Sequence, residues 1–283
     1  MTFRAATLVV TLTAVSITGF AETSVKKTAY FRPKGAQQKA QALKTRPRDS
    51  SGPVVVNAAS YLAGISPGGL ATIFGENLTT VNGVVVAGVD PLPTVLSGVS
   101  VFVNGVLAPI FSIAYSGGED QISIQVPYET ATGKGAAEIQ VVDYNEQVAD
   151  FITDSYTEDP GIFVYDGNYA IATHVDYSLV GPNSPADRGE YLALYTTALG
   201  PLSLVLTDGY GSPTQPPFAD TIDPAQVLLD GESCTVVFSG LSPGFVGLYQ
   251  VNFQIPEDAP AGNLDLQIQT PYANSNTATL PVE

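Results

Sequence analysis

Two stretches of the sequence match the G-x-S-x-G motif of serine hydrolases, at 64–68 and at 240–244. In that motif the residue after the serine donates its backbone N–H to the oxyanion, but here Pro67 and Pro243 hold that position and have no N–H. A Ser-Pro-Gly sequence followed by alternating apolar residues is typical of a turn that leads into a strand. We therefore expect turns at both motifs and assign neither serine a catalytic role.

The only histidine, His174, lies two residues before Asp176. Residues two apart on a strand share a face, so Asp176 would orient His174 as a general base. No motif marks a serine or cysteine nucleophile, and a strand histidine beside a carboxylate is more often a surface residue. The pair therefore supports a hydrolase only as a remote hypothesis.

Oxygen-rich loops are the candidates for a metal site. The weak calcium candidates are Asp166, Asn168 and Asp176, which lack the D-x-[DN]-x-[DN]-G spacing that wraps a chain around calcium. Solvated acidic loops explain them as well. One cysteine and one histidine exclude a Cys/His zinc site, and Cys234, among apolar neighbours, is expected to be buried. We assign no catalytic residue and no cofactor.

Amide and tyrosine side chains form a candidate binding surface for sugars. Amides pair well with hydroxyl groups, and tyrosine rings offer aromatic faces in a chain without tryptophan. Glutamines on a solvated sheet face also pair across strands, which is a purely structural explanation. The candidate binding residues are Gln121, Gln125, Gln250, Gln254, Tyr128 and Tyr272.

The composition indicates a folded chain with an uneven charge distribution. The 283 residues are 45% hydrophobic and 13% charged, which excludes disorder for the bulk of the chain. Residues 1–49 hold nine of the 11 basic and two of the 27 acidic residues. The part that follows therefore has 25 acidic and two basic residues, a net charge of −23. Such a body repels phosphate, so we expect no nucleic-acid partner.

The first 21 residues have the pattern of a secretory signal peptide. Arg4 precedes an apolar, Thr-rich core at 5–17, and small residues lead to Ala21. The core is shorter than the ~20 apolar residues that span a bilayer. We therefore predict cleavage after Ala21, a secreted or cell-surface location, and no transmembrane segment in the mature chain.

A basic segment follows the signal peptide. Residues 22–52 carry eight basic and two acidic residues, a net charge of +6, with few large apolar side chains. This composition predicts a flexible tether. It is either a solvated linker or an electrostatic contact with an anionic surface polymer or with the acidic body of another copy.

Hydrophobic residues alternate with polar ones through the rest of the chain. Pro and Gly clusters interrupt these runs about every 8–12 residues, as in sandwiches and barrels. The pattern predicts strands with one buried face and an all-β fold. The clearest alternating sets are Val99, Val101 and Val103; Ile122, Ile124 and Val126; Val251, Phe253 and Ile255; and Leu264, Leu266 and Ile268.

An internal repeat indicates two copies of one module. Gln121–Pro127 recurs as Gln250–Pro256, and each proline is followed six residues later by a glycine. Upstream, Asn104-Gly105 matches Asp230-Gly231, and both dipeptides favour two-residue hairpin turns. We predict two tandem immunoglobulin-like β-sandwich domains related by duplication, at 53–157 and 158–283.

Several segments also carry a resemblance to a known family. They are Val56–Tyr61, Ile65–Gly75, Pro91–Thr94, Gly98–Val101, Ala108–Phe111, Pro160–Phe163 and Pro243–Asn252. Together they resemble the uncharacterised C-terminal domain family of exported Solibacter-type acidobacterial proteins, over nearly all of 54–283. The resemblance implies an immunoglobulin-like or transcription-factor-type sandwich and no established activity.

The export pattern, the duplication and the lack of a coherent catalytic set favour a non-enzymatic protein. We expect a structural or adhesive role at the cell surface or in the extracellular matrix. Its partner would be a protein or surface polymer, including a second copy bound through edge strands or the basic tether. A carbohydrate-binding module is the alternative.

Overall fold

The computed structural model describes residues 52–283. The predicted signal peptide (1–21) and all but the last residue of the predicted tether (22–52) lie outside this range. Every regular element within residues 52–283 is a β-strand, which confirms the all-β class. In this part of the chain no helix is long and apolar enough to cross a membrane.

The first ten strands form two sheets. They are β1 (Val54–Asn57), β2 (Leu70–Gly75), β3 (Val84–Val86), β4 (Val95–Leu96), β5 (Val99–Val103), β6 (Val106–Leu107), β7 (Ile110–Ser116), β8 (Glu119–Gln125), β9 (Gly133–Asp143) and β10 (Glu146–Ser155). Sheet A has the order β1-β2-β8-β7-β3, and sheet B has the order β10-β9-β5-β4 with β6 paired to β5. All of these pairings are antiparallel.

Eleven further strands form a second pair of sheets. They are β11 (Gly161–Ile162), β12 (Val164–Tyr165), β13 (Tyr169–Ala170), β14 (Ala172–Thr173), β15 (Tyr191–Thr197), β16 (Gln226–Leu229), β17 (Glu232–Ser233), β18 (Thr235–Leu241), β19 (Tyr249–Gln254), β20 (Gly262–Gln269) and β21 (Ala278–Val282). Sheet C has the order β11-β15-β19-β18 with β14 on β15, and sheet D has β12-β13-β21-β20-β16-β17. The short pairing of β13 with β21 is parallel.

The alternating apolar residues fill two separate cores. Val101 of sheet B and Ile122 of sheet A are fully buried in the first core, and Phe253 of sheet C and Leu266 of sheet D are fully buried in the second. Each such side chain contributes about 1.5–3 kcal/mol through the apolar area that it removes from water. The period-2 pattern therefore predicted correctly which strand faces point inward.

The two halves share one strand order, in line with the internal repeat. The order β1-β2-β8-β7 in sheet A matches β11-β15-β19-β18 in sheet C, and β10-β9-β5 in sheet B matches β21-β20-β16 in sheet D. The matching dipeptides Asn104-Gly105 and Asp230-Gly231 both have positive φ at both residues. That backbone is what a two-residue hairpin of the predicted type requires.

Both G-x-S-x-G motifs form turns, as predicted. The carbonyl of Ser66 accepts a hydrogen bond from Gly69 N–H at 3.0 Å, and Ser242 accepts one from Phe245 N–H at 3.0 Å. The glycines after the prolines, Gly68 and Gly244, have φ of 72° and 82°. Proline at the second position and a positive φ at the third define a type II turn.

An apolar cluster joins the two halves outside either core. It contains Ala58, Ala59 and Leu70 from the first half, and Phe163, Ile171, Tyr195, Phe245 and Leu248 from the second. At its centre, the buried hydroxyl of Thr197 accepts a hydrogen bond from Leu70 N–H at 2.8 Å and donates one to Gly247 C=O at 3.1 Å. We call this cluster and its hydrogen bonds the junction.

The long connection 198–225, between β15 and β16, adds a polar part to the junction. Gly209 N–H donates to Gln125 Oε1 at 2.6 Å, and Gly209 C=O accepts from Leu92 N–H at 2.8 Å. The neighbouring Asp208 Oδ1 accepts from Tyr128 N–H at 3.0 Å. Two adjacent residues of the second half thus hold three different strands and loops of the first.

We expect Thr197→Val to lower the free energy of unfolding by about 1–3 kcal/mol, because the Leu70 N–H and the Gly247 C=O lose their hydrogen-bond partner. Thr197→Ser keeps the hydroxyl and loses one methyl group, so its loss should stay near ~0.8 kcal/mol. Urea unfolding followed by circular dichroism measures both values. Equal losses in the two variants would show that the hydroxyl does not hold the junction.

Candidate functional site

His174, Ser184 and Glu190 meet at one edge of the second sandwich. His174 Nδ1 lies 2.7 Å from Glu190 Oε1, and His174 Nε2 lies 3.3 Å from Ser184 Oγ and 3.2 Å from the Ser184 carbonyl oxygen. The side chains of His174 and Glu190 are only 14% and 19% exposed. The structure therefore places a carboxylate at one nitrogen of the imidazole and a hydroxyl at the other.

Three short loops position these side chains. His174 directly follows β14, and Glu190 directly precedes β15, so the pairing of β14 with β15 brings the two together. Ser184 closes a turn in which its N–H and C=O both bond to Gly181. Glu190 is fixed by its second oxygen, Oε2, which accepts from Asp187 N–H at 3.0 Å.

The surroundings raise the pKa of His174. Burial lowers the pKa of the imidazole, but the hydrogen bonds to Glu190 and to the Ser184 carbonyl favour the charged form, and the nearby negative charges of Glu190 and Asp176 add to them. The balance leaves the pKa of His174 above its ordinary value. Protonated His174 donates to Glu190 and to the Ser184 carbonyl, whereas neutral His174 with its proton on Nδ1 accepts from the Ser184 hydroxyl.

The order Ser184, His174, Glu190 is that of a nucleophile, a base and an orienting carboxylate. Acyl transfer also needs N–H donors for the oxyanion. Here Ser184 N–H already donates to Gly181 C=O, and the next residue, Pro185, has no N–H. The arrangement therefore fits a set of hydrogen bonds that connects three loops through Ser184, His174 and Glu190, which we call the His174 cluster. The strength of these hydrogen bonds depends on the charge of His174.

The structure corrects the predicted pairing of His174 with Asp176. β14 ends at Thr173, so these two residues lie in a turn rather than on one strand face. Asp176 Oδ1 instead accepts from Ser178 N–H and from its hydroxyl at 2.9 and 2.6 Å, which lowers the pKa of Asp176. No sequence pattern marked Ser184 and Glu190, which lie 10 and 16 residues from His174.

Three of the four candidate glutamines, Gln125, Gln250 and Gln254, make intramolecular hydrogen bonds through their side-chain amides. Gln125 is fully buried and binds Gly209 across the junction, so it does not lie on a solvated stripe with Gln121. Gln250 accepts from the Ser242 hydroxyl and donates to Asn252, and Gln254 donates to Gly189 C=O. Their amides serve intramolecular contacts.

The two candidate tyrosines lie in different environments. Tyr128 packs across Gly68, and its hydroxyl is buried; burial and the charge of Asp208 raise the pKa of that hydroxyl. Tyr272 is 79% exposed in the loop between β20 and β21, where its N–H donates to Glu158. The six candidate residues therefore do not form one open surface.

The calcium candidates lie in two separate turns. Asp166 and Asn168 flank Gly167 in the hairpin between β12 and β13, where Asn168 donates to Thr277 C=O. Asp176 accepts hydrogen bonds from the N–H and the hydroxyl of Ser178. Among residues 52–283, no group of three His, Cys, Asp or Glu side chains is placed to hold a metal ion.

Cys234 is buried against the second core, as expected. Burial raises the pKa of the Cys234 thiol to about 11, so the nucleophilic thiolate is not populated near neutral pH.

No protein-family model and no curated protein matches the chain. The resemblance to the acidobacterial family therefore stays a prediction. Solved structures do match. A Bacteroides ovatus mixed-linkage glucan utilization locus protein, SGBP-B, in complex with a mixed-linkage heptasaccharide, is 11% identical with a TM-score of 0.32. That match covers 78% of this chain and 42% of the Bacteroides protein.

Two further matches have similar strength. Domains 5–6 of the S-layer protein SbsC are 13% identical with a TM-score of 0.26, over 83% of this chain and 94% of that one. The Yersinia pseudotuberculosis adhesin InvE is 10% identical with a TM-score of 0.21, over 81% of this chain and 58% of that one. At these TM-scores the similarities carry no argument about function.

We expect the NMR titration of His174 to have a midpoint above ~6.5, its ordinary pKa. The chain has one histidine, so the imidazole signal needs no further assignment. Glu190→Gln should lower the midpoint, because it removes the carboxylate that stabilises the imidazolium. Asp176→Asn, the control at an exposed carboxylate, should change it less. A midpoint at or below ~6.5 in the unmodified protein would contradict a stabilised imidazolium in the His174 cluster.

The same shift predicts a pH dependence of stability. Because the pKa of His174 is higher in the folded than in the unfolded chain, its contribution is complete below about pH 6.5 and is lost as the pH rises through the folded pKa. The pKa values of Asp159 and Asp208 are also raised, to about 6, chiefly by burial. The difference between the unmodified protein and Glu190→Gln, measured by urea unfolding across this range, isolates the contribution of His174.

Proposed function

We propose that this chain is an exported, non-enzymatic structural or adhesive protein of the cell surface or extracellular matrix, which associates with copies of itself. The observation that carries this proposal is the separation of charge along the chain. Residues 22–52 have a net charge of +6, and the folded part that follows has −23. Opposite charges on two parts of one chain favour binding between copies.

The junction supports a mechanical role. Tandem domains within a chain usually move relative to one another unless a large apolar interface joins them. Here an apolar cluster and the hydrogen bonds of Thr197, Asp208 and Gly209 cross the boundary. A pair of sandwiches joined in this way transmits force and keeps its binding surfaces in a constant relation.

The exposed side of β9 and β10 is the site that we propose for the basic segment of a second copy. β10 is the end strand of sheet B, and its regular stretch between two bulges runs from Ala149 to Thr153. Glu138 on β9 and Asp150 and Glu146 on β10 are exposed, and Ile152, which pairs opposite Glu138 and lies two residues from Asp150, is 70% exposed. Carboxylates around an apolar side chain suit lysine and arginine, whose stems pack on apolar surface while their charges stay hydrated.

The proposal predicts that residues 22–283 associate at low salt and that residues 53–283, which lack the basic segment, stay monomeric. Raising NaCl from about 0.05 M to about 0.5 M should weaken the association at least ~10-fold, because salt screens contacts between exposed charges. Sedimentation velocity over a range of protein concentrations measures both effects. Monomers in both proteins under low salt would refute self-association through this segment.

A matched pair of variants locates the contact. Glu146→Lys with Asp150→Lys reverses two charges on β10 and should abolish the association. Asp223→Lys with Glu257→Lys changes the net charge equally, at exposed positions of the second half, and should retain most of it. Equal losses in the two double variants would show that net charge alone, rather than the β9–β10 surface, drives binding.

A further inference from the structure

Two buried carboxylates lie at one end of the first sandwich, in facing sheets. Asp120 is the second residue of β8 in sheet A, and Asp143 is the last residue of β9 in sheet B. They are 2% and 5% exposed. Buried aspartates normally have an ion-pair partner or a full set of hydrogen bonds, because an isolated buried charge is costly.

Backbone amides of one loop donate hydrogen bonds to one of the two oxygens of each carboxylate. The loop 76–83 connects β2 with β3, and its Leu78 side chain is buried in the first core. Asp120 Oδ2 accepts from Leu78 N–H at 2.8 Å and from Thr79 N–H at 3.4 Å. Asp143 Oδ2 accepts from the next amide, Thr80 N–H, at 2.8 Å. Three consecutive amides thus hold the two carboxylates beside one another.

The second oxygen of each carboxylate has no partner. Asp120 Oδ1 and Asp143 Oδ1 are both buried, and neither makes a hydrogen bond.

No basic side chain of the described chain compensates this charge. The two basic residues within 52–283 are Lys134 and Arg188. Lys134 is at the opposite end of β9, about 30 Å from Asp143 along an extended strand. Arg188 is in the second half, where it donates to Ala259 C=O.

We propose that Asp120 and Asp143 hold a calcium ion through their free Oδ1 atoms. Calcium takes oxygen ligands, accepts irregular geometry, and completes its coordination with water and backbone carbonyls. A divalent cation here neutralises both carboxylates and secures the loop 76–83, with Leu78, over the end of the core. This site is distinct from Asp166, Asn168 and Asp176, and it does not depend on the proposed self-association.

The test is thermal unfolding of residues 22–283, freed of metal with EDTA and then supplied with calcium. With about 5 mM CaCl2, above the ~10⁻³ M affinity of weak extracellular sites, we expect Tm to rise by about 2–4 °C. Asp120→Asn and Asp143→Asn should each abolish most of this rise. Asp166→Asn, which makes the same change of charge in a sequence-predicted calcium loop, should keep it.

The asparagine variants also give a result without calcium. In EDTA, Asp120→Asn keeps an oxygen for the Leu78 amide but removes the repulsion, so it should be at least as stable as the unmodified protein. With calcium present, the unmodified protein should be more stable than Asp120→Asn. No calcium effect on the unmodified protein, or an effect that persists in both variants, would overturn the proposal.

Terbium luminescence provides a second readout that does not depend on unfolding. Tb³⁺ takes the same oxygen ligands as calcium, and excited tyrosines sensitise its emission. Tyr115 pairs opposite Asp120, and Tyr144 directly follows Asp143. We expect Tb³⁺ emission that calcium displaces and that Asp120→Asn removes. Emission unchanged in both Asp120→Asn and Asp143→Asn would place the ion elsewhere and contradict the site.

Discussion

The close approach of two backbones at the junction determines how much of this molecule remains available to partners. A Cβ atom on Gly161 would lie 2.5 Å from Asn57 Oδ1, and one on Gly247 would lie 2.7 Å from the Leu70 side chain. Only glycine permits this packing, and the packing brings Thr197 within reach of both backbones. The connection 198–225 covers the outward side of sheet A around Gln125, so this side chain is not available to a partner.

The periodicity of the sequence predicted the fold but not what covers each strand. Alternation assigned Ile122 and Ile124 to a core, and the structure confirms this assignment. The same alternation placed Gln125 on the opposite face, and that too is correct. The period-2 pattern predicts on which side of a strand a residue lies. It contains no information on whether that side contacts water or a neighbouring domain. Gln125 was misjudged because its cover, Gly209, is 84 residues away.

The histidine cluster shows the same limit for a candidate site. His174 was identified because it is the only histidine, and Asp176 was chosen as its partner because it is close in sequence. Its actual partner, Glu190, is brought to it by the pairing of β14 with β15. Strand pairing between short segments follows from the whole topology and has no local sequence signal. Turns differ in this respect: Ser-Pro-Gly and Asn-Gly determine their backbone within four residues, so both were predicted correctly.

The excess of acidic residues also has a structural explanation besides binding. With two basic residues in 52–283, carboxylates have few cations to pair with, and backbone amides take that place. Carboxylates accept from backbone amides at Leu78, Thr80, Tyr128, Gly135, Asp187, Gly211, Asp265 and Tyr272, six of them in loops and two, Gly135 and Asp265, in strands. A charged acceptor makes a stronger bond to an N–H than a neutral one does, so these contacts stabilise the loops and strands of residues 52–283, where every regular element is a β-strand. Asp120 and Asp143 are two such acceptors side by side in the interior, where the amides leave one oxygen of each carboxylate unpaired, and these two oxygens are the ligands of the proposed calcium ion.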